Sequence, residues 1–321
     1  MGGTRPNQYR QLINQVLNHI HQHLDGDLSL QALAQLASFS PFHFHRMFKA
    51  MMGETVNDYV KRIRVQKAAA KLIFSHLPVT EIALDCGFAS VSTLSRAFKQ
   101  HYGVSPSAYR QLYQERKNGK LESKNGNASP AAADYDDSVT AVNMAEKRSW
   151  SKMKVEVKTF PDYRVAYIRH LEGYDEGVFN EGIDQAFRRV GEWMHANDLF
   201  TRETLCLGIF YEYGDISPAE KRRYDAAFTV PKEMEQGSGE IGIQDLPGGK
   251  YAVIRVEVEN MGDDSFAEAI RKMGEAFDYL YGEWLPNSPY QLEDKPCLEI
   301  YLTPPYAPVI MIDACLPVKP V

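Results

Sequence analysis

The chain has 321 residues, 44% of them hydrophobic and 24% charged, the composition of a soluble globular protein long enough for two domains. No apolar run is long enough to cross a bilayer, no signal-peptide core opens the chain, and Cys86, Cys206, Cys297 and Cys315 lack metal-ligand spacing. The expectation is a cytoplasmic protein, at the nucleoid if it meets DNA, with no membrane partner, disulfide framework, metal or cofactor. Charge divides the molecule: residues 1–120 carry 15 Lys+Arg against 7 Asp+Glu, net +8, and the rest carries 21 against 35, net −14, so a polyanion suits only the first part.

In chain order, Leu12, Ile13, Val16, Leu17, Ile20 and Leu24 mark an amphipathic helix over 9–24. His19 and His23 fall four apart on it, a spacing that could hold a metal, but with no third ligand nearby they read as solvated histidines. Ser29 opens a second helix, with Leu30, Leu33, Ala34 and Ala37 facing inward. The stretch SPFHFHRMFK, 40–49, predicts a third: Ser40 can cap it, Pro41 suits its first turn, and Phe44 and Phe48 share one apolar side. The opposite side offers Phe42, His45, Arg46 and Lys49, which can stack on or hydrogen-bond to base edges and neutralise phosphate.

Fifty residues on, SVSTLSRAFK repeats the pattern, so that Ser40, Arg46, Phe48, Lys49 and Gly53 return as Ser90, Arg96, Phe98, Lys99 and Gly103. Each copy predicts a helix, a tight turn and a second helix. Between them 55–75 reads as one long helix, buried along Val56, Tyr59, Val60, Ile63, Ala68, Leu72 and Ile73 and made basic by Lys61, Arg62, Arg64, Lys67 and Lys71. About nineteen residues at ~1.5 Å each span ~28 Å. Heads at the two ends of such a rod could enter successive major grooves, which repeat every ~34 Å, with DNA bending closing the gap.

These motifs carry a resemblance. The paired units, with GFASVSTLSRAFKQHYGVSPSAYR in the second, resemble the DNA-binding domain of the AraC/XylS family of bacterial transcription regulators over about residues 8–115. The resemblance implies an all-α double helix-turn-helix domain, promoter DNA and RNA polymerase as partners, and base contacts from Phe42, His45 and Arg46 in the first unit and Val91, Ser92, Thr93 and Arg96 in the second. Family members often carry tryptophan where Phe42 stands and glutamines near Val91 and Ser92, which leaves the target sequence open.

From 116 to 152 the pattern dissolves into Lys, Asn, Gly, Ser and Asp, the composition of a tether between domains 1–115 and 153–321. Beyond it, strands are expected near 153–157 and 165–168, turned as a pair at Phe160-Pro161-Asp162, then a helix over 178–196 and strands at 205–211 and 223–230. The plan then repeats: a strand at 241–246 turning at Pro247-Gly248-Gly249 into 251–258, a helix over 265–285, and strands at 297–302 and 309–316. Pro161, Ala166, Ile168, Arg169 and Trp193 answer Pro247, Ala252, Ile254, Arg255 and Tyr279. A duplicated strand-strand-helix-strand unit predicts an α+β tandem repeat with helices on one sheet face and a groove between its halves.

The repeat is broken where Gly208 of the first copy becomes Glu299 in the second, a carboxylate in the middle of a strand. Candidate groove walls are Tyr167, Tyr211, Tyr224, Phe228, Tyr279, Trp284, Tyr290 and Tyr301, and aromatic faces with one carboxylate suit an organic cation. The lesser alternative makes Glu299 a rim carboxylate or a partner for Arg164 or Lys295. The RRYDAAFTV, EWLPNSPY and LEIYL segments within this repeat resemble the GyrI-like effector-binding domain over about 153–317. That resemblance implies Glu299 as the ligand carboxylate and a small cationic or amphipathic effector, hence a sequence-specific, multidrug-sensing type of regulator and not an enzyme. A tethered hydrolase, with Glu299 and Tyr301 or Tyr167 activating water, or a drug-sequestering module, stays open beside it.

Overall fold

A computed structural model describes residues 5–117, 153–211, 216–262 and 264–321, and these fall into two compact units. The expected tether lies outside the described residues, apart from 116–117, which continue the last helix of the first unit.

The first unit is seven helices: α1 (Arg5–Gln22), α2 (Leu30–Leu36), α3 (Pro41–Met52), α4 (Val56–Phe74), α5 (Val79–Asp85), α6 (Val91–Tyr102) and α7 (Pro106–Lys117). Hydroxyl caps set where they begin. Ser29, Ser40, Thr55 and Ser90 accept hydrogen bonds from the backbone N–H of Ala32, His43, Asp58 and Thr93, satisfying donors that the first turn leaves without partners. Gly53 and Gly103 end α3 and α6 in the left-handed region, at φ 71° and 74°. Gly87 is fixed by space as well as by its φ of 74°, because a Cβ there would stand 2.1 Å from the Leu24 carbonyl.

α4 is the axis of this unit and is enclosed on most sides, with Val56, Tyr59, Ile63, Ala68, Ala69 and Leu72 among its buried residues. Its cations are less available than the sequence suggests. Arg62 grips Glu54 at 2.7 Å, Lys71 meets Asp85 at 3.1 Å, and Arg64 donates to the Leu24 and Gly26 carbonyls at 2.8 and 3.2 Å. Arg110 of α7 does the same for the Leu72 and Leu77 carbonyls. The expected basic rod is therefore largely a structural one: Arg62 pairs with a carboxylate, and Arg64 holds the carbonyls of the turn that follows α1.

The second unit is a nine-stranded antiparallel sheet: β1 (Glu156–Phe160), β2 (Tyr163–His170), β3 (Cys206–Phe210), β4 (Tyr224–Thr229), β5 (Gly242–Leu246), β6 (Gly249–Glu259), β7 (Tyr290–Leu292), β8 (Cys297–Tyr301) and β9 (Val309–Pro320). Helices α8 (Glu181–Ala196) and α9 (Ser265–Tyr279) complete the two copies. The strand order β1-β6-β9-β8-β3-β4-β2-β5, with β7 off this path and paired to β9, places the two copies side by side, joined through β8 and β3.

The expected hairpins do not form. β1 pairs with β6, and β5 with β2, so each copy lends its first strand to the other. Of the residues in the two expected turns only Gly249 takes a positive φ, and neither link adopts the favoured two-residue hairpin turn. The two links instead pack together, with the Gly248 N–H donating to Asp162 Oδ1 at 2.7 Å. Two further departures are local. α8 starts at Glu181, capped by Asn180, leaving 171–180 as a separate segment, and α9 ends at Tyr279 and runs on into a π-helical turn, Leu280–Trp284.

Alternation divides the sheet. Ala166, Ile168, Ala226 and Ile241 face α8, packed on Ala186, Val190 and Met194. Val165, Tyr167, Leu207, Ile209, Ala227, Tyr251 and Ile300 point the other way, and the sheet curls so that they close on one another as a second core.

Candidate functional site

The helical unit presents two matching faces. On α3, Phe44, Met47 and Phe48 are buried while Phe42, Arg46 and Lys49 are exposed; on α6, Leu94, Ala97 and Phe98 are buried while Ser92, Thr93, Arg96 and Lys99 are exposed. His45 and Val91 are half-buried. Phe42 is 72% exposed, and the Arg46 guanidinium lies 5.7 Å from its ring centre, so an apolar plate and a cation stand together at the start of α3. Thr93 is partly committed to its own helix, because its hydroxyl donates to the Ser90 carbonyl at 2.7 Å and accepts from the Ser90 N–H at 3.1 Å.

In the α/β unit a cavity lies between α8 and α9 over the centre of the sheet, and Glu299 reaches it from β8. Cross-strand register brings the site together. Gly208 on β3 stands opposite Glu299 on β8, and Phe210 opposite Tyr224 on β4. The hydroxyls of Tyr224 and Tyr301 donate to the same Glu299 oxygen, Oε2, at 2.5 and 2.7 Å, and lie 3.1 Å from each other. Phe187 of α8, and Phe210 and Phe277, wall the cavity, with Phe187 edge-on to Tyr301 at 5.3 Å and Phe277 edge-on to Phe210 at 5.1 Å.

Electrostatics follow from depth. Burial pushes the Glu299 carboxyl above its ordinary range, against the two phenol hydrogen bonds that favour its charge. Burial, then the nearby carboxylate, pushes both the Tyr224 and the Tyr301 hydroxyl well up, so they stay donors. The Cys206 thiol is pushed up to about 12 by burial and then by Glu299, and stays protonated. No lysine, arginine or histidine is among the described residues that line the cavity.

Of the aromatic residues expected beside Glu299, Tyr301 and Tyr224 line the cavity. Tyr167 is on the opposite sheet face, 1% exposed, with the Arg169 guanidinium 5.1 Å from its ring. Tyr211 packs against the same far-side core with Arg223 over it at 5.4 Å. Phe228 shares the Glu299 face but sits behind Phe187, edge-on at 6.3 Å, and Trp284 stacks on Tyr290 outside the lining. Neither suggested ion pair occurs: Arg164 meets Asp245 at 2.8 Å and Lys295 meets Glu293 at 3.0 Å. The sequence reading missed Phe187, Phe210 and Phe277. Phe210 lies two residues beyond Gly208, so strand alternation alone would have placed it on the right face.

Comparison with known proteins agrees with both units. The profile of the GyrI-like small molecule binding domain matches residues 153–319, and that of a helix-turn-helix domain matches 33–112. The HTH-type transcriptional regulator YbfP of Bacillus subtilis, itself uncharacterized, is 34% identical over 115 residues, 36% of this chain and 39% of that protein. The regulatory protein SoxS of Escherichia coli K12 is 30% identical over 102 residues, 32% of this chain and 95% of that protein. Among solved structures, the DNA-binding domain of AdpA in complex with a target DNA is 31% identical, with a TM-score of 0.33, over 34% of this chain and 96% of that one. The chain belongs to the GyrI-like family, joining a small molecule binding domain to an AraC-type helix-turn-helix domain in one DNA-binding transcription regulator.

Proposed function

We propose that the Glu299 cavity binds an aromatic or amphipathic organic cation, and that its occupancy changes what the helix-turn-helix domain does at a promoter. The observation that carries this is a deep carboxylate with one oxygen held by two phenols, in an aromatic-walled cavity with no cationic side chain among its described lining. A cation supplies the missing positive charge, and the ring faces of Phe187, Phe210 and Phe277 supply cation–π attraction and apolar contact. The ligand is bound and released unchanged. Residues 1–115 form the DNA-binding part, 116–152 the tether and 153–321 the sensor. One chain reads two neighbouring half-sites, with Phe42, His45, Arg46 and Lys49 in one groove and Val91, Ser92, Thr93, Arg96 and Lys99 in the next. The protein works in the cytoplasm, at the nucleoid, with RNA polymerase as its partner.

The test uses the full chain. Titration with aromatic monocations and neutral analogues of the same shape, on the native protein and on Glu299→Gln, should show a preference for the cation that the variant loses. Equal affinity for charged and neutral members on the native chain removes the proposal, as does chemical turnover of the ligand.

A further inference from the structure

Glu299 has two carboxylate oxygens, and the protein uses only one of them. The Tyr224 and Tyr301 hydroxyls both donate to Oε2, at 2.5 and 2.7 Å, and Glu299 makes no other hydrogen bond or ion pair among the described residues. Oε2 is also the oxygen turned toward the neighbouring strand, where a Cβ on Gly208 would stand 2.9 Å from it. Oε1 is left without a donor, yet it is not sealed in the core as the orphaned Tyr251 hydroxyl is. Since Glu299 lines the cavity and its Oε2 is taken by the phenols, Oε1 is the acceptor it offers there.

The count of open acceptor sites restricts the ligand. Each oxygen of an ionised carboxylate has about two such sites, and on Oε2 both are filled. A planar fork, amidinium or guanidinium, needs a site on each oxygen, so its second N–H has nowhere to donate. Oε1 alone suits a single N–H. A quaternary ammonium has none: it would cover Oε1 with methyl groups and leave a charged acceptor stripped of water with no donor in its place. The chain does not supply that donor, because each phenol spends its one O–H on Oε2, and Phe187, Phe210 and Phe277 have none to give.

We propose that the cavity selects protonated amines that give one N–H to Glu299 Oε1, and discriminates against quaternary ammonium ions and against forked amidinium or guanidinium ions. This rests on the reading that an organic cation occupies the Glu299 cavity, and narrows that cation to a single hydrogen-bond donor. Tyr224 and Tyr301 are then specificity residues: by filling Oε2 they set how many N–H groups the carboxylate accepts from a ligand. A site built around one donor rejects the analogue that lacks it, because its own buried acceptor goes unmatched.

The experiment is a titration of the full chain with three probes that share one benzene ring: N,N-dimethylbenzylamine, protonated at neutral pH, its quaternary form benzyltrimethylammonium, and benzamidine. The proteins are the native chain, Tyr301→Phe and Glu299→Gln. The quaternary ion is the less strongly hydrated, so an apolar cavity without an open acceptor would prefer it. The bond to Oε1 should reverse that order and make the tertiary ammonium bind about tenfold tighter on the native chain. Tyr301→Phe opens one site on Oε2, so benzamidine should gain about threefold or more on the tertiary amine. In Glu299→Gln the preference for tertiary over quaternary should vanish. A quaternary probe that binds the native chain as tightly as the tertiary one, or an unchanged benzamidine-to-amine ratio in Tyr301→Phe, overturns the single-donor proposal while leaving the cation reading in place. Failure of all three probes to bind the native chain removes the two together. The native comparison needs no variant, and unchanged thermal melts show that the two variants are folded.

Discussion

Gly208 and Glu299 stand opposite one another on the paired strands β3 and β8, and the absent side chain of the first makes room for the carboxylate of the second. A Cβ on Gly208 would lie 1.8 Å from the Tyr224 hydroxyl oxygen and 2.9 Å from Glu299 Oε2. The exchange of glycine for glutamate between the two copies of the repeat is thus one structural device written at two positions.

Gly208→Ala should cost about 1–3 kcal/mol by overpacking and weaken any ligand of the cavity, because the Tyr224 hydroxyl must leave Glu299 to admit the methyl group. Urea unfolding and ligand titration on the same preparation check this. A variant with native stability and native affinity would mean that the phenol pair does not depend on the glycine.

Glu299→Gln should change how stability depends on pH. The folded carboxyl is raised by burial, so the folded state holds its proton at pH values where the unfolded chain has released it. The native protein therefore loses stability as pH rises from the unfolded carboxylate range through the raised folded value, and the variant should lack that loss. For the same reason a cationic ligand should bind more weakly as pH falls through the raised value and should release a proton on binding. Unfolding and titration at a series of pH values would show it, and identical pH profiles for the two proteins would rule the coupling out.

Two cross-strand ion pairs repeat at equivalent places but not at equivalent depth. Arg169 donates twice to Asp225 at 2.6 Å with both side chains 1% exposed, whereas Arg255 donates to Asp313 at 2.7 and 2.9 Å with its own side chain 44% exposed. Arg169→Ala should cost about 3–5 kcal/mol because it strands a buried carboxylate. Arg255→Ala should cost less, since Lys158 also reaches Asp313, at 3.3 Å, and keeps that buried carboxylate paired. Comparable losses in denaturant unfolding would contradict the assigned depths.

On the helical unit, Arg46→Ala should cost about 1–3 kcal/mol at a specific site and relax preference at one base position. Lys99→Ala should weaken binding to all DNA alike and lower the salt slope by about 1. Binding measured over a salt series on specific and random duplexes separates the two. If Arg46→Ala leaves specific binding intact, α3 is not the reading helix.

The helical unit was legible in the sequence because its determinants are local. Capping hydroxyls at Ser29, Ser40, Thr55 and Ser90, left-handed glycines at Gly53 and Gly103, and a three-and-four apolar spacing each act within a few residues, so helix bounds and exposed faces could be read in register. The duplication of the α/β unit and the singularity of Glu299 were legible for the same reason, being patterns along one chain. Strand exchange, by contrast, depended on which distant strand offers hydrogen bonds, a choice made between residues far apart in the chain. The placement of the tyrosines depended on register as well: one step along β2 separates Tyr167 in the far core from Ile168 on the helix side, and a list of aromatic residues carries no such parity. Arg64 shows the limit from the other direction, because its charge is plain in the sequence, while its use, holding the Leu24 carbonyl of the turn after α1 forty residues away, exists only after α4 has packed.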